Sequence, residues 1–277
     1  MKHLTVFLMS TALALAATFA RAELTIEISQ GSDNPTPIAV VPFAWQGSGA
    51  PPADIAAVVD GDLARSGQFA PVARTDMLGR PTAEADVFYR DWRAINAEYL
   101  LIGRVAGAEP LRVEYELYDV LRQKRILSGS ETGSAKDARM VAHRVADAVY
   151  EKLTGIPGAF ATKLLYISVA RQPGGKDLSR LTMSDSDGAR PVVLLETREP
   201  LLTPSWSPDG KHVAYVSFET GRPAIYRQEI ATGKREQLTN FKGLNSSPAW
   251  SPDGKTIAMV LSKGGSPDIY LSLIHIS

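Results

Sequence analysis

Pro204-Ser205-Trp206-Ser207-Pro208-Asp209-Gly210-Lys211 returns as Pro248-Ala249-Trp250-Ser251-Pro252-Asp253-Gly254-Lys255, an offset of 44 residues. The residues downstream of each copy keep the same step: Val213-Ala214-Tyr215-Val216 is matched by Ile257-Ala258-Met259-Val260, and Ile225-Tyr226 by Ile269-Tyr270. A degenerate earlier copy runs from Lys163-Leu164-Leu165-Tyr166-Ile167 to the turn Ser184-Asp185-Ser186-Asp187-Gly188. A period of about 40–45 residues, built of short β-branched runs and Pro-Asp-Gly turns, is that of four-stranded β-propeller blades. Trp206 and Trp250 are expected to pack between neighbouring sheets, while proline and glycine set the dihedrals of the turns. Residues 163–277 therefore read as a partial propeller of about two and a half repeats. Because an open row of blades leaves a sheet face without a neighbour, Val213, Tyr215, Ile257 and Met259 are expected to be only partly covered, and the segment poorly stable.

Upstream of the repeat the pattern is different. The run IAVVPF at Ile38–Phe43 reads as a buried strand, and Ile55, Val58, Val59 and Leu63 fall on one helical face. Glu98–Val105 and Leu111–Val120 read as strands, with a short helix at Asp91–Asn96 before them. A last helix starts near Ser134, which can cap with Asp137, and carries the stripe Val141, Val145, Ala148 and Leu153. Residues 34–160 are thus expected to form an α/β layered domain. Ahead of it, residues 23–33 contain ELTIEISQG, in which Leu24, Ile26 and Ile28 alternate with polar residues as in a strand. Pro35 and Pro37 then make an extended, loosely joined connection.

The first 22 residues combine Lys2, an apolar run from Leu4 to Ala20 and the small-residue site Ala20-Arg21-Ala22, the pattern of a secretory signal cut between Ala22 and Glu23. No later segment is apolar enough to span a bilayer, so no direct membrane insertion is expected after cleavage. Thirty acidic and thirty basic residues balance, which removes a general electrostatic argument for nucleic acid. The absence of cysteine excludes disulfides, thiolate metal sites and a cysteine nucleophile. Export without cysteine fits a periplasmic protein held together by its cores.

Candidate chemistry is sparse. Asp209 and Asp253 sit in turns whose geometry accounts for them. Gly254-Lys255-Thr256 ends like a phosphate-binding loop, but Ala249 stands where that loop requires glycine. Asp185-Ser186-Asp187-Gly188 opens like a calcium loop without the later ligands, so a β-turn is expected and no metal. Of the four histidines, His3 falls in the signal, His143 is expected off the apolar stripe of its helix, His212 follows a turn and His275 lies near the end. No pair has ligand spacing, and Gly-x-Ser-x-Gly is missing. No catalytic residue and no cofactor are expected.

Taken in order, the signal, the ELTIEI arm, the IAVVPF strand followed by Trp45, the mixed domain, and the WSPDGK blades with Phe218-Glu219-Thr220-Gly221-Arg222 resemble the TolB family of the bacterial Tol-Pal system. The resemblance implies an α/β domain followed by a six-bladed, WD40-like propeller. It also implies a non-catalytic, monomeric periplasmic scaffold that links TolA at the inner membrane to the lipoprotein Pal, supporting outer-membrane integrity and cell division. It assigns TolA binding to the arm Glu23, Leu24, Thr25, Ile26, Glu27, Ile28 and Ser29, which can fold back between the domains when Pal is bound. Pal binding is assigned to the loops carrying Leu202, Thr203, Leu244, Asn245 and Ser247. Fewer blades are present than the family has, and Leu271–Ser277 breaks the repeat, so the chain is expected to be C-terminally truncated with residues 271–277 artefactual. The alternative is the propeller part of a secreted prolyl-peptidase-like hydrolase whose catalytic domain is missing; a ligand-binding propeller with a polar mouth is a third reading.

Overall fold

The computed structural model describes residues 34–107 and 109–273. The signal segment, its cleavage site and the arm Glu23–Ser29 lie outside the described residues, as do residues 274–277.

The first domain is built on the apolar run near its start. Strand β1 (Thr36–Val40) is followed by β2 (Ala44–Trp45), helix α1 (Ile55–Arg65), β3 (Phe69–Pro71), the short helix α2 (Tyr89–Ala94), β4 (Tyr99–Ala106), β5 (Leu111–Asp119), β6 (Lys124–Gly133) and helix α3 (Ala138–Thr154). The sheet runs β3-β1-β4-β5-β6, with β2 paired to β4 beyond the end of β1. β1 lies parallel to both its neighbours, whereas β4–β5 and β5–β6 are antiparallel. A parallel strand covered on both faces has no polar side to show, which is why Ile38–Val41 carries no alternation. Ile38 and Val40 enter the core under α1 and α3; Ala39 and Val41 enter a second core with Trp92 of α2.

Local chemistry sets the helix ends. Asp54 caps α1 by accepting the Ala57 amide at 2.9 Å. Ser134 Oγ accepts the Asp137 amide at 3.2 Å, closing a turn of 3₁₀ helix (Ala135–Asp137) that feeds α3. Gly155 ends α3 with φ 74°, a left-handed position that spares glycine the Cβ clash.

Four readings of this domain need correction. The proline-rich entry is not loose from Thr36 onward: the Thr36 amide donates to Gln68 at 2.9 Å and the Pro37 carbonyl accepts from Glu98 at 3.0 Å. Pro37 is tolerated because it stands at the start of the strand. The short helix begins two residues earlier than its pattern suggested, and Asn96 is left-handed with φ 58°. Strand β6 went unread because this edge strand is mostly polar and half-exposed, with no Asn-Gly at its hairpin. His143 is not off the packed face but wholly buried.

The second region is all β, in three antiparallel sheets that do not close on one another. The first contains β7 (Lys163–Ala170), β8 (Leu178–Asp185) and β9 (Val192–Thr197). Next come β10 (Leu201–Trp206), β11 (His212–Ser217), β12 (Ala224–Glu229) and β13 (Arg235–Gln237), then β14 (Asn245–Trp250), β15 (Thr256–Leu261) and β16 (Asp268–Leu273). Trp206 packs in the core between the first and second sheets and Trp250 in that between the second and third, as the repeat predicted. The expected partial exposure of Val213, Tyr215, Ile257 and Met259 is overturned, since none is more than 2% exposed. The middle sheet has a neighbour on each face; the uncovered apolar side chains lie instead on the two outer sheets, at Leu164, Val169, Val192 and Val193 in the first and at Ile269 and Leu271 in the third. Leu271, Ser272 and Leu273, expected to break the blade, pair in β16 with Ala258, Ile257 and Thr256.

Candidate functional site

Each WSPDGK turn is closed by its own side chains. Ser207 Oγ donates to Asp209 Oδ1 at 2.6 Å, and the Lys211 amide donates to the same oxygen at 3.0 Å. Ser251, Asp253 and Lys255 repeat those distances. Hydrogen bonds from the serines, then from the lysine amides, hold both carboxyls below the usual aspartate range. These acids fasten turns and are not poised for catalysis.

The opposite ends of β10 and β14 carry the loop residues singled out in the sequence. Both strands slip register at the same place, between Leu202 and Ser205 and between Ser246 and Ala249. Thr203 and Ser247, which stand in equivalent positions, are left-handed at φ 45° and 54°. Such backbone is disfavoured for side-chain-bearing residues, most of all β-branched ones, and recurs where a strand must present a group outward. Leu202 and Leu244 are 46% and 37% exposed, and Thr203 and Ser247 are exposed beside them. Asn245 belongs to the interior. It is fully buried, with Nδ2 donating to the Phe241 carbonyl at 2.8 Å and the Gly243 carbonyl at 3.2 Å, so it shapes the loop. Sequence reasoning passed over Phe241, which is 41% exposed on this loop with Lys263 Nζ 4.7 Å from its ring centre.

A second constellation lies where the propeller meets the first domain. The β8–β9 turn, read as a plain turn, carries Asp185 and Asp187 onto helices α1 and α3. Asp185 accepts from Arg190 Nε at 2.8 Å and Nη2 at 3.0 Å, and from Lys163. Burial pushes its carboxyl up, but hydrogen bonds from Arg190 and Lys163 outweigh that and hold it at about 2. Asp187 pairs with Arg139, and Asp62 with Arg65. Asp62 Oδ2 also lies 2.6 Å from His143 Nδ1, both side chains being fully buried. Beside this network is a cavity of 490 Å³ lined by residues that include Asp54, Arg65, Lys136, Arg139 and Arg190. Asp62, His143 and Asp187 bring donor atoms within 4.8 Å of one another. Each of these carboxylates already has its arginine, so the cluster is an ion-pair network rather than a cation cage.

An α/β domain joined through buried ion pairs to a row of propeller blades, with exposed strand bulges at the far end, defines a two-domain protein of the propeller class. The profile described as TolB amino-terminal domain matches residues 24–126, and that described as TolB beta propeller domain matches residues 150–276. The chain belongs to the TolB family. The Tol-Pal system protein TolB of Pseudomonas fluorescens (strain SBW25) is 47% identical over 234 residues, 84% of this chain and 54% of that protein. The protein of the same description from Marinomonas sp. is 50% identical over 231 residues, 82% of this chain and 53% of its own length. The crystal structure of TolB from Acinetobacter baumannii superposes with a TM-score of 0.76 at 38% identity, covering 91% of this chain and 61% of that one. The chain spans about half the length of the curated relatives it matches.

Proposed function

We propose that the protein is a non-catalytic periplasmic scaffold of the Tol-Pal system, binding TolA through the arm Glu23–Ser29 and Pal through the loop ends of its blades. In this role it supports outer-membrane integrity and cell division. The observation that carries the reading is the repeated bulge. Leu202 and Thr203 in one blade, and Leu244 and Ser247 in the next, are exposed at one end of the sheets, with Thr203 and Ser247 on backbone that side-chain-bearing residues seldom adopt. Supporting it, no helix among the described residues is long and apolar enough to cross a membrane. The family's amino-terminal domain also favours the scaffold over the peptidase alternative.

The arm provides the test. Deleting Glu23–Ser29 is expected to abolish binding to TolA in a pull-down or titration while leaving Pal binding within about twofold. Retained TolA affinity after the deletion would remove the arm from the reading. Equal TolA affinity with and without saturating Pal would remove the coupling between the two sites, expected at about 1–3 kcal/mol.

A further inference from the structure

We propose that His143 is a proton-binding site that ties the propeller to the first domain, so that proton uptake and domain docking reinforce each other. The imidazole is fully buried on α3 and faces a carboxylate on each side. Asp62 Oδ2, on α1, is 2.6 Å from Nδ1, and Asp185 Oδ2, on the propeller, is 3.9 Å from Nε2. An ionised Asp62 can only accept, so Nδ1 carries the hydrogen and the second nitrogen of a neutral ring turns a lone pair toward Asp185. That Nε2 is buried without a hydrogen-bond partner. A second proton converts it from an acceptor facing an acceptor into a donor facing a carboxylate, and the new charge-assisted contact exists only while the propeller is docked. Linkage then requires docking to favour the proton as much as the proton favours docking.

The surrounding charges set the size of the effect. α1 supplies Asp62 and Arg65; α3 supplies Arg139 one turn before the histidine and Asp147 one turn after it. Arg144, on the same helix, is paired with Glu131 of β6. The propeller side supplies Lys163, Asp185, Asp187 and Arg190. Arg139 Nε lies 3.6 Å from the same Asp185 oxygen and competes for it, and Arg190 and Lys163 already bind this carboxylate, so the added contact strengthens an existing joint instead of creating it.

The test is hydrogen–deuterium exchange of the full chain at pH 5.5 and pH 8, corrected for intrinsic exchange and read at the β8–β9 turn, where the Asp185 amide donates to Ala189 and the Gly188 amide to Asp185. Wild-type protection is expected to rise about fivefold at the lower pH. His143→Gln, which keeps a neutral polar group beside Asp62, and Asp185→Asn are expected to abolish that rise. A pH-independent wild type, or a rise that survives His143→Gln, overturns the proposal. Should the variants fail to fold, long-range ¹H–¹⁵N spectra of wild-type His143 decide directly. Conversion from the Nδ1–H form to the doubly protonated ring on acidification supports the site, and a neutral ring throughout refutes it.

Discussion

Thr203 and Ser247 stand 44 residues apart in sequence and in the same place in two successive blades, each turned into left-handed backbone at φ 45° and 54°. The β-branched member has the less favourable conformation, because its Cβ substituents crowd the backbone there. Thr203→Gly is therefore expected to leave the protein unchanged or up to about 1 kcal/mol more stable, although glycine normally weakens a strand. Ser247→Gly should gain less. Denaturant midpoints of the two variants, compared at unchanged m-value, check the order.

Asp147 makes a second joint, independent of the ion-pair network. Its Oδ1 accepts the Phe160 amide at 2.7 Å and its Oδ2 the Ala161 amide at 3.0 Å, pinning the chain as it leaves α3 for the propeller. Asp147→Ala should cost about 1–3 kcal/mol through the two unsatisfied amides. Gly158→Ala should mimic it, since an added Cβ would lie 2.6 Å from the Asp147 Cα. Faster limited proteolysis between residues 155 and 163 is the expected readout for both.

The docked propeller should also have an acid limit. Asp185 titrates at about 2 in the folded chain, against about 3.9 for a free aspartate. A lowered carboxyl contributes stability that is complete above the unfolded value and is lost as pH falls through the folded one. Docking is expected to hold down to about pH 4 and to fail progressively between there and about pH 2, with Asp185→Asn showing no such transition. Small-angle scattering across that range measures it; a docked form indifferent to pH down to 2 would contradict the assignment.

How much of the fold and site was legible in the residues depends on what kind of signal each element leaves. The blades were readable because one turn, with proline, aspartate and glycine each fixing a dihedral or a hydrogen bond, is written twice. The buried strand at Ile38–Val41 was readable because both its faces must be apolar. His143 was misplaced because helical periodicity scores a histidine as polar, and nothing local records that Asp62, 81 residues earlier, meets its Nδ1. Asp185 and Asp187 passed as turn residues for a related reason: Arg190 is only five residues from Asp185, but Arg139 comes from the other domain, 48 residues before Asp187, and a pairing of that range leaves no local pattern. The loop residues named by resemblance were five; burial separates Asn245 from the other four, a distinction that only the fold makes.

That separation yields the sharpest expectation for the loop end. Leu202 and Leu244 present apolar surface to solvent, so replacing either by glutamate removes little packing and should change the melting temperature by no more than a degree or two. If these side chains meet Pal, the same change places a charge in a desolvated contact and should weaken binding about 10- to 100-fold. Asn245 should behave oppositely. Its buried amide binds the carbonyls of Phe241 and Gly243, so Asn245→Ala removes both hydrogen bonds, at a cost of about 1–2 kcal/mol, and displaces Phe241 from its place under Lys263. Pal affinity should then fall only to the extent that the loop disorders, and recover on cooling as the loop reforms. Melting curves and Pal titrations on the three variants separate the classes: a destabilised Leu202→Glu or Leu244→Glu with unchanged Pal affinity would show that these leucines pack within the blade and do not face the partner.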